Sequence, residues 1–176
     1  MSILFVNHVA SPGLPDKVLT HPEDIASTLR EQGILFDRLA LNATINTGAS
    51  PEDVLDACRA QIDQLMTQQG HAGVEVILVD EATQRGSWRA EHQHSADDLR
   101  VVVAGRGLLS LRVGDFVYSV LCEKNDLIAV PAGTRRWLDL GDHPRFVAIR
   151  LFKDESGRQM VVTGDSIAEA FPGLDD

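Results

Sequence analysis

Residues 86–100 read Gly86-Ser87-Trp88-Arg89-Ala90-Glu91-His92-Gln93-His94-Ser95-Ala96-Asp97-Asp98-Leu99-Arg100. Side chains alternate faces along an extended chain, so His92, His94, Asp98 and Arg100 share one face, with Trp88 two strand steps before His92 on the same side. The remaining histidines (His8, His21, His71 and His143) are scattered. Two imidazoles and a carboxylate on one face are the raw material of a divalent metal site. A two-histidine, one-carboxylate set with open positions suits non-haem Fe(II) and oxygen chemistry. A solvated strand face carrying charge pairs has the same pattern, and spacing alone leaves both readings open.

Outward from this stretch, the period of the apolar residues sets the architecture. From Gly73 on, short β runs at 74–79, 100–104, 108–113, 116–122, 127–130 and 146–152 are separated by Gly105-Arg106-Gly107, Val113-Gly114-Asp115 and Pro131-Ala132-Gly133. Strands this short, this regularly spaced and this rich in turn glycines predict a mainly β barrel or sandwich. The N-terminal third is mixed. Residues 3–6 and 34–39 read as extended. Thr20 and Glu23 offer a capping box for a helix with Ile25 and Leu29 on its apolar stripe and Gly33 as its stop. Ser50, Pro51 and Asp53 open a second helix, along which Val54, Leu55, Cys58, Ile62, Leu65 and Met66 recur at helical spacing up to Gly70. Asp165 or Ser166 caps a short helix at 167–170. The expectation is one domain over 1–176, with helical decoration at about 20–70, the barrel at about 74–152 and a short C-terminal helix.

Composition excludes several classes of function. The chain has 176 residues, 44% of them apolar, which suffices to bury about two-thirds of the unfolded surface. Lys and Arg number 16 against 26 Asp and Glu, a formal charge of -10 with no basic cluster. A nucleic acid or an anionic membrane is therefore not the expected partner. No apolar run approaches the roughly 20 residues of a membrane span, and the apolar start at Met1 to Phe5 is too short for a secretory signal core. Cys58 and Cys122 lie far apart, Cys58 on a core-facing helical stripe, so both read as free thiols of a cytoplasmic protein. No exposed apolar stripe argues for association, and the expected state is a monomer.

The spacing Gly86, His92-x-His94, Asp98, Gly105, followed by Asn125-Asp126, Pro131-Ala132-Gly133 and Trp137, resembles the two cupin motifs, a double-stranded β-helix or jelly-roll barrel. Within the cupins the chain resembles the acireductone dioxygenase family. The likeness is carried by Glu91-His92-Gln93-His94, the run from Val120 to Ile128, Val130-Pro131-Ala132-Gly133-Thr134, Ala148-Ile149-Arg150-Leu151-Phe152 and Thr163-Gly164-Asp165-Ser166-Ile167-Ala168. It extends over essentially the whole chain, N-terminal helices included. The resemblance implies an enzyme of methionine salvage that cleaves an acireductone, a 1,2-dihydroxy-3-keto enediol, with O2. Its metal is held by three histidines and a glutamate. The iron form yields formate and a 2-keto acid, and the nickel form yields carbon monoxide.

Matched residue by residue, His92 and His94 fall on two of these ligands, and Fe(2+) or Ni(2+) is the implied cofactor. The glutamate position holds Asp98, one methylene shorter. The last histidine position holds Arg136, which stays protonated and has no lone pair to give a metal. At about 4 Å and an effective dielectric of about 20, its repulsion of a dication is about 8 kcal/mol. Either Arg136 turns away and leaves His92, His94 and Asp98 as a three-residue metal set, or it pairs with Asp98 and takes the metal's place. His143, seven residues further on, is the nearest spare imidazole. Leu138 replaces an aromatic residue, and Arg158 falls where the family pattern has a tryptophan. The resemblance puts Arg100 and Arg150 beside the substrate, suited to an anionic enediolate, with Arg136 and Trp88 as further pocket residues. Arg100 and Asp98 are the expected catalytic pair. For Arg150 a charge pair at the barrel rim is the competing reading, and for Trp88 it is ordinary packing.

Overall fold

The computed structural model describes residues 1–41, 45, 49–80, 87–154 and 159–176. Gly86 and Arg158 fall outside the described residues. The strands are β1 (Ile3–His8), β2 (Lys17–Leu19), β3 (Leu35–Arg38), β4 (Gly73–Val79), β5 (His92–Gln93), β6 (Asp98–Val113), β7 (Phe116–Glu123), β8 (Asp126–Val130), β9 (Arg135–Asp139), β10 (Phe146–Phe152) and β11 (Val161–Val162). The helices are α1 (Pro22–Arg30), α2 (Pro51–Gln69) and α3 (Ile167–Ala170). The mainly β barrel with helices before and after it is the architecture expected from the sequence. No helix among the described residues is long and apolar enough to cross a membrane.

Strand β6 organises the barrel. Its first half pairs with β10 and β8, and its second half with β7 and β9, all antiparallel. One strand therefore passes through both layers: β4-β10-β6-β8-β3 on one side and β11-β5-β9-β6-β7-β1-β2 on the other. Gly105-Arg106-Gly107, read from sequence as a turn between two strands, is instead the corner inside this single strand. Gly105 has φ +74°, and a Cβ there would lie 1.8 Å from the Arg145 carbonyl oxygen. The ladder to β10 slips register beside it, between Val147 and Ala148. A glycine at a bulge lets a strand turn a corner without ending.

Helix α2 covers one face. Ser50 caps it with a reciprocal capping box to Asp53, and Gly70 closes it in the left-handed conformation. Its buried Val54, Cys58, Ile62 and Leu65 pack on Leu99, Val101 and Val103 of β6 and on Val147, Ile149 and Leu151 of β10. Period-two alternation then turns the even-numbered residues of both strands to the barrel interior, among them Asp98, Arg100 and Arg150. Helix α1 starts at Pro22 with His21 as N-cap and no side-chain cap bond, so the box expected from Thr20 and Glu23 does not form. A proline at the first helical position sets the start by its fixed φ. Cys58 and Cys122 are free and buried, as expected.

Candidate functional site

Five strands bring the polar residues of the interior together. Asp98 opens β6 and lies opposite Phe152 of β10, and Arg100, one step further on the same face, lies opposite Arg150. On the other flank of β10, Arg150 faces Glu75 of β4. The two-residue β5 places His92 opposite Arg136 of β9. Strand β9 was not read from the sequence, because its buried Arg136 and Asp139 break the apolar signature of an interior strand.

Asp98 is the hub. Its Oδ1 accepts from Arg136 Nη1 at 2.7 Å and its Oδ2 from Arg150 Nε at 2.7 Å, while Arg100 Nε stands 3.5 Å from Oδ2. Arg136 is wholly buried, and it also donates to the carbonyl oxygens of Thr134 at 3.3 Å and Pro131 at 3.4 Å. Arg150 reaches Glu75 Oε2 at 3.3 Å and lies 5.2 Å above the Phe152 ring centroid. It is thus an interior residue, not a rim charge pair.

The imidazoles are held from behind. His92 Nδ1 lies 2.8 Å from the Ala90 carbonyl oxygen. His94 Nδ1 lies 2.9 Å from the Gln159 carbonyl oxygen and 3.1 Å from Arg150 Nη2. The ring centroids are 5.6 Å apart and the rings perpendicular. Burial, aided by neighbouring arginines, lowers both histidines to a pKa of about 4, so at neutral pH they carry no charge. With Nδ1 bearing the proton toward the Ala90 carbonyl, the lone pair of His92 is on Nε2. At His94, Nδ1 donates to the Gln159 carbonyl in one tautomer and accepts from Arg150 Nη2 in the other.

Burial by itself would raise the Asp98 carboxyl. Arg100, Arg136 and Arg150 outweigh it and hold Asp98 well below the usual carboxylate range. Burial lowers the Arg100 guanidinium, with Arg136 and Arg150 adding to the effect and Asp98 opposing it.

Whether these residues fit a metal turns on lone pairs. A tetrahedral or octahedral cation needs at least three donors turned toward one point. His92 and His94 have suitable nitrogens, but each Asp98 oxygen already accepts from a guanidinium whose charge would repel a cation at the remaining lone pair. Among the described residues no three of His, Cys, Asp and Glu group to hold an ion. The expected set of His92, His94 and Asp98 is therefore not assembled as a ligand cage: Arg136 has not turned away, and it holds the carboxylate itself. His143 is not among the residues that meet Asp98.

A cavity of ≈ 270 Å³ lies beside this cluster, lined by Trp88, His94, Arg100, Arg150, Glu75 and Met160 among others. Trp88 is at its wall, but in a 3-10 turn (Ser87–Arg89) and not on the strand expected for it. Trp137 packs on Phe171 with ring centroids 5.6 Å apart. Three partners of the site went unread. Glu75 and the Gln159 carbonyl contact Arg150 and His94. Glu91, fully buried, accepts from Thr163 Oγ1 at 2.7 Å and pairs with Arg112 at 3.4 Å, clasping the C-terminal segment to β5. Glu91 directly precedes His92, and a carboxylate so placed in a strand entering the core was the available signal.

Comparison with known proteins agrees with the architecture. A family model described as ARD/ARD' family matches residues 12–160. Acireductone dioxygenases of Pseudomonas fluorescens and Pseudomonas syringae pv. syringae are 52% and 53% identical to the chain, each aligned over 100% of both sequences. That of Pseudomonas aeruginosa is 47% identical over the same span. Among solved structures, an acireductone dioxygenase from Bacillus anthracis with a cadmium ion in its active centre superposes with a TM-score of 0.78. It covers 92% of this chain and 98% of its own, and at 22% identity it shows the shared barrel. With most of its length matched by the family and its whole length aligned at half identity to curated members, the chain belongs to the ARD/ARD' family.

Proposed function

We propose that the chain is an oxidoreductase of methionine salvage that acts with O2 on an acireductone, a 1,2-dihydroxy-3-keto enediol, bound in the cavity beside Trp88. The observation that carries this reading is the meeting of Arg100 and Arg150 at the cavity wall, over a carboxylate that fixes their orientation. Paired guanidinium donors suit the adjacent oxygens of an enediolate. Arg100 neutralises the charge that develops on these oxygens, and Asp98 positions the arginines. In the tautomer that donates Nδ1–H to the Gln159 carbonyl, the uncharged His94 accepts the enediol proton at Nε2, and Trp88 and Met160 keep water from the electron-rich carbon that meets O2. The overall change converts the enediol and O2 into formate and a 2-keto acid.

Iron or nickel, the metals this family likeness implies, would find His92 and His94 here but no disengaged carboxylate. The residues present supply binding and proton chemistry rather than a metal cage. The test is oxygen uptake when the full chain and acireductone generated without oxygen are mixed into air-saturated buffer, with formate and 2-keto acid as products. Uptake that Arg100→Met lowers by about a hundredfold supports the assignment. A rate no faster than the spontaneous oxidation ends it.

The ion pair between Arg136 and Asp98 favours a second reading, in which the same pocket serves a different and more anionic enediol-type compound, as a diverged enzyme or as a binding cupin. Under that reading acireductone gives no enzymatic uptake while small oxyanions still bind.

A further inference from the structure

We infer that the Arg136 guanidinium supplies the positive charge that a metal supplies elsewhere in the family, making a metal-free anion pocket in which Arg100 and Arg150 bind a small oxyanion with two adjacent oxygens, an enediolate or a 2-keto carboxylate, carrying a short apolar tail. The inference rests on the same cavity and the same two arginines as the proposed function, and it does not depend on reaction with O2.

Arg136 is built into its place. All three guanidinium nitrogens have acceptors: Asp98 Oδ1, the Thr134 carbonyl and the Pro131 carbonyl. The side chain is completely buried and is among the largest that are. It sits across the ladder from His92, at the position where the family likeness calls for an imidazole. A metal arriving there would have to displace two 2.7 Å charge-assisted bonds from Asp98 and then sit among three guanidiniums.

The charge that remains points to the ligand. Among the described residues, three guanidiniums (Arg100, Arg136 and Arg150) face two carboxylates (Asp98 and Glu75), so the cluster favours an anion over a cation. Arg100 is 5% exposed, lines the cavity, and has a buried Nε with no hydrogen-bond partner. A buried guanidinium nitrogen without an acceptor is a donor awaiting one. The rest of the wall, with Ile77, Leu78, Trp88 and Met160, is apolar and suits a short alkyl or thioether chain. A cavity of ≈ 270 Å³ is small and has room for a compact ligand of this kind.

Two measurements on the untagged full chain test this, and neither needs a variant. The first is elemental analysis after anaerobic incubation with Fe(II) or Ni(II) and gel filtration. The expected result is less than about one metal per ten chains, and near-stoichiometric metal overturns the inference. The second is calorimetric titration with 2-oxopentanoate in EDTA, where binding of one ligand per chain is expected. No binding, or binding only after metal is added, overturns the inference.

Arg100→Met should weaken that binding by about tenfold or more, and unchanged affinity places the ligand elsewhere. Arg136→His, if folded by circular dichroism, should take up metal, and a folded variant that stays metal-free shows that Arg136 does not occupy a ligand position. If Arg136→His does not fold, the two measurements on the unsubstituted chain decide. Absent O2 uptake alongside EDTA-resistant anion binding would sink the proposed reaction and leave this inference standing.

Discussion

Arg100 and Arg150 stand directly opposite each other in the β6–β10 ladder, and the Asp98 carboxylate bridges them at 3.5 Å and 2.7 Å. Like charges facing each other across a ladder repel, and in a buried site the repulsion is poorly screened. The arrangement persists because one carboxylate is shared among three guanidiniums. Asp98→Asn removes the charge and keeps the shape, leaving three buried cations with Glu75 as their counter-charge among the described residues. The expected loss of stability is about 3–5 kcal/mol, read from urea denaturation midpoints. A variant as stable as the parent would mean that other groups compensate the arginines.

Acid should act on the two imidazoles before it reaches Asp98. His92 and His94 have folded-state values of about 4, below the ordinary 6.5, so the unfolded chain takes up protons first as pH falls. Their contribution to stability is complete above about pH 6.5 and is lost between about pH 6.5 and 4, with a slope approaching about 2.7 kcal/mol per pH unit where two protons separate the states. Asp98, depressed by its arginines, contributes above the ordinary carboxylate pKa and is lost only at still lower pH. Urea titrations at pH 7, 6, 5 and 4.5 check this, and a midpoint constant from pH 7 to 5 would contradict it.

The corner of β6 makes a sharper demand. Gly105→Ala would put a methyl 1.8 Å from the Arg145 carbonyl oxygen at a φ of +74°. Backbone must then move, at a cost of at least about 2 kcal/mol. Gly114→Ala is the control, since Gly114 has φ +61° and open space around its Cβ position. It should lose only about 1 kcal/mol, and thermal unfolding of the pair separates steric crowding from backbone preference.

At the start of α2, Ser50 Oγ accepts from the Asp53 amide at 3.1 Å, and the Asp53 carboxylate accepts from the Ser50 amide at 3.1 Å. Ser50→Ala breaks the reciprocal box and should cost about 1 kcal/mol of stability. The site lies on the opposite face of the sheet from α2, so binding of 2-oxopentanoate should not change. A weakened affinity would reveal coupling through β6 and β10.

Sequence reading went furthest where one signal was strong enough to act locally. Ser50, Pro51, Asp53 and Gly70 mark both ends of α2, and 146–152 and 74–79 stand out as apolar runs, broken only by Arg150 and Glu75, that become β10 and β4. It failed where tertiary contact overrode local pattern. Gly105 and Gly107 look like a turn, yet pairing on both sides carries β6 through them. Arg136 and Asp139 look like a solvated segment, yet both are buried in β9. In the site, alternation from β6 rightly put Asp98 and Arg100 on one face. The Asp98–Arg136 contact, 38 residues apart, was one of two geometries that the sequence allowed and could be settled only in three dimensions.

The clasp on Glu91 ties the order of synthesis to the assembly of the pocket. Thr163 holds Glu91, β11 pairs with β5, and the Gln159 carbonyl braces His94, so residues beyond 158 complete a cluster whose other members precede residue 153. While residues 159–163 are still inside the ribosome, the barrel strands can pair but His94 lacks its carbonyl brace. The binding cavity is therefore completed only once residues 159–163 have joined the barrel, after its arginines have gathered around Asp98.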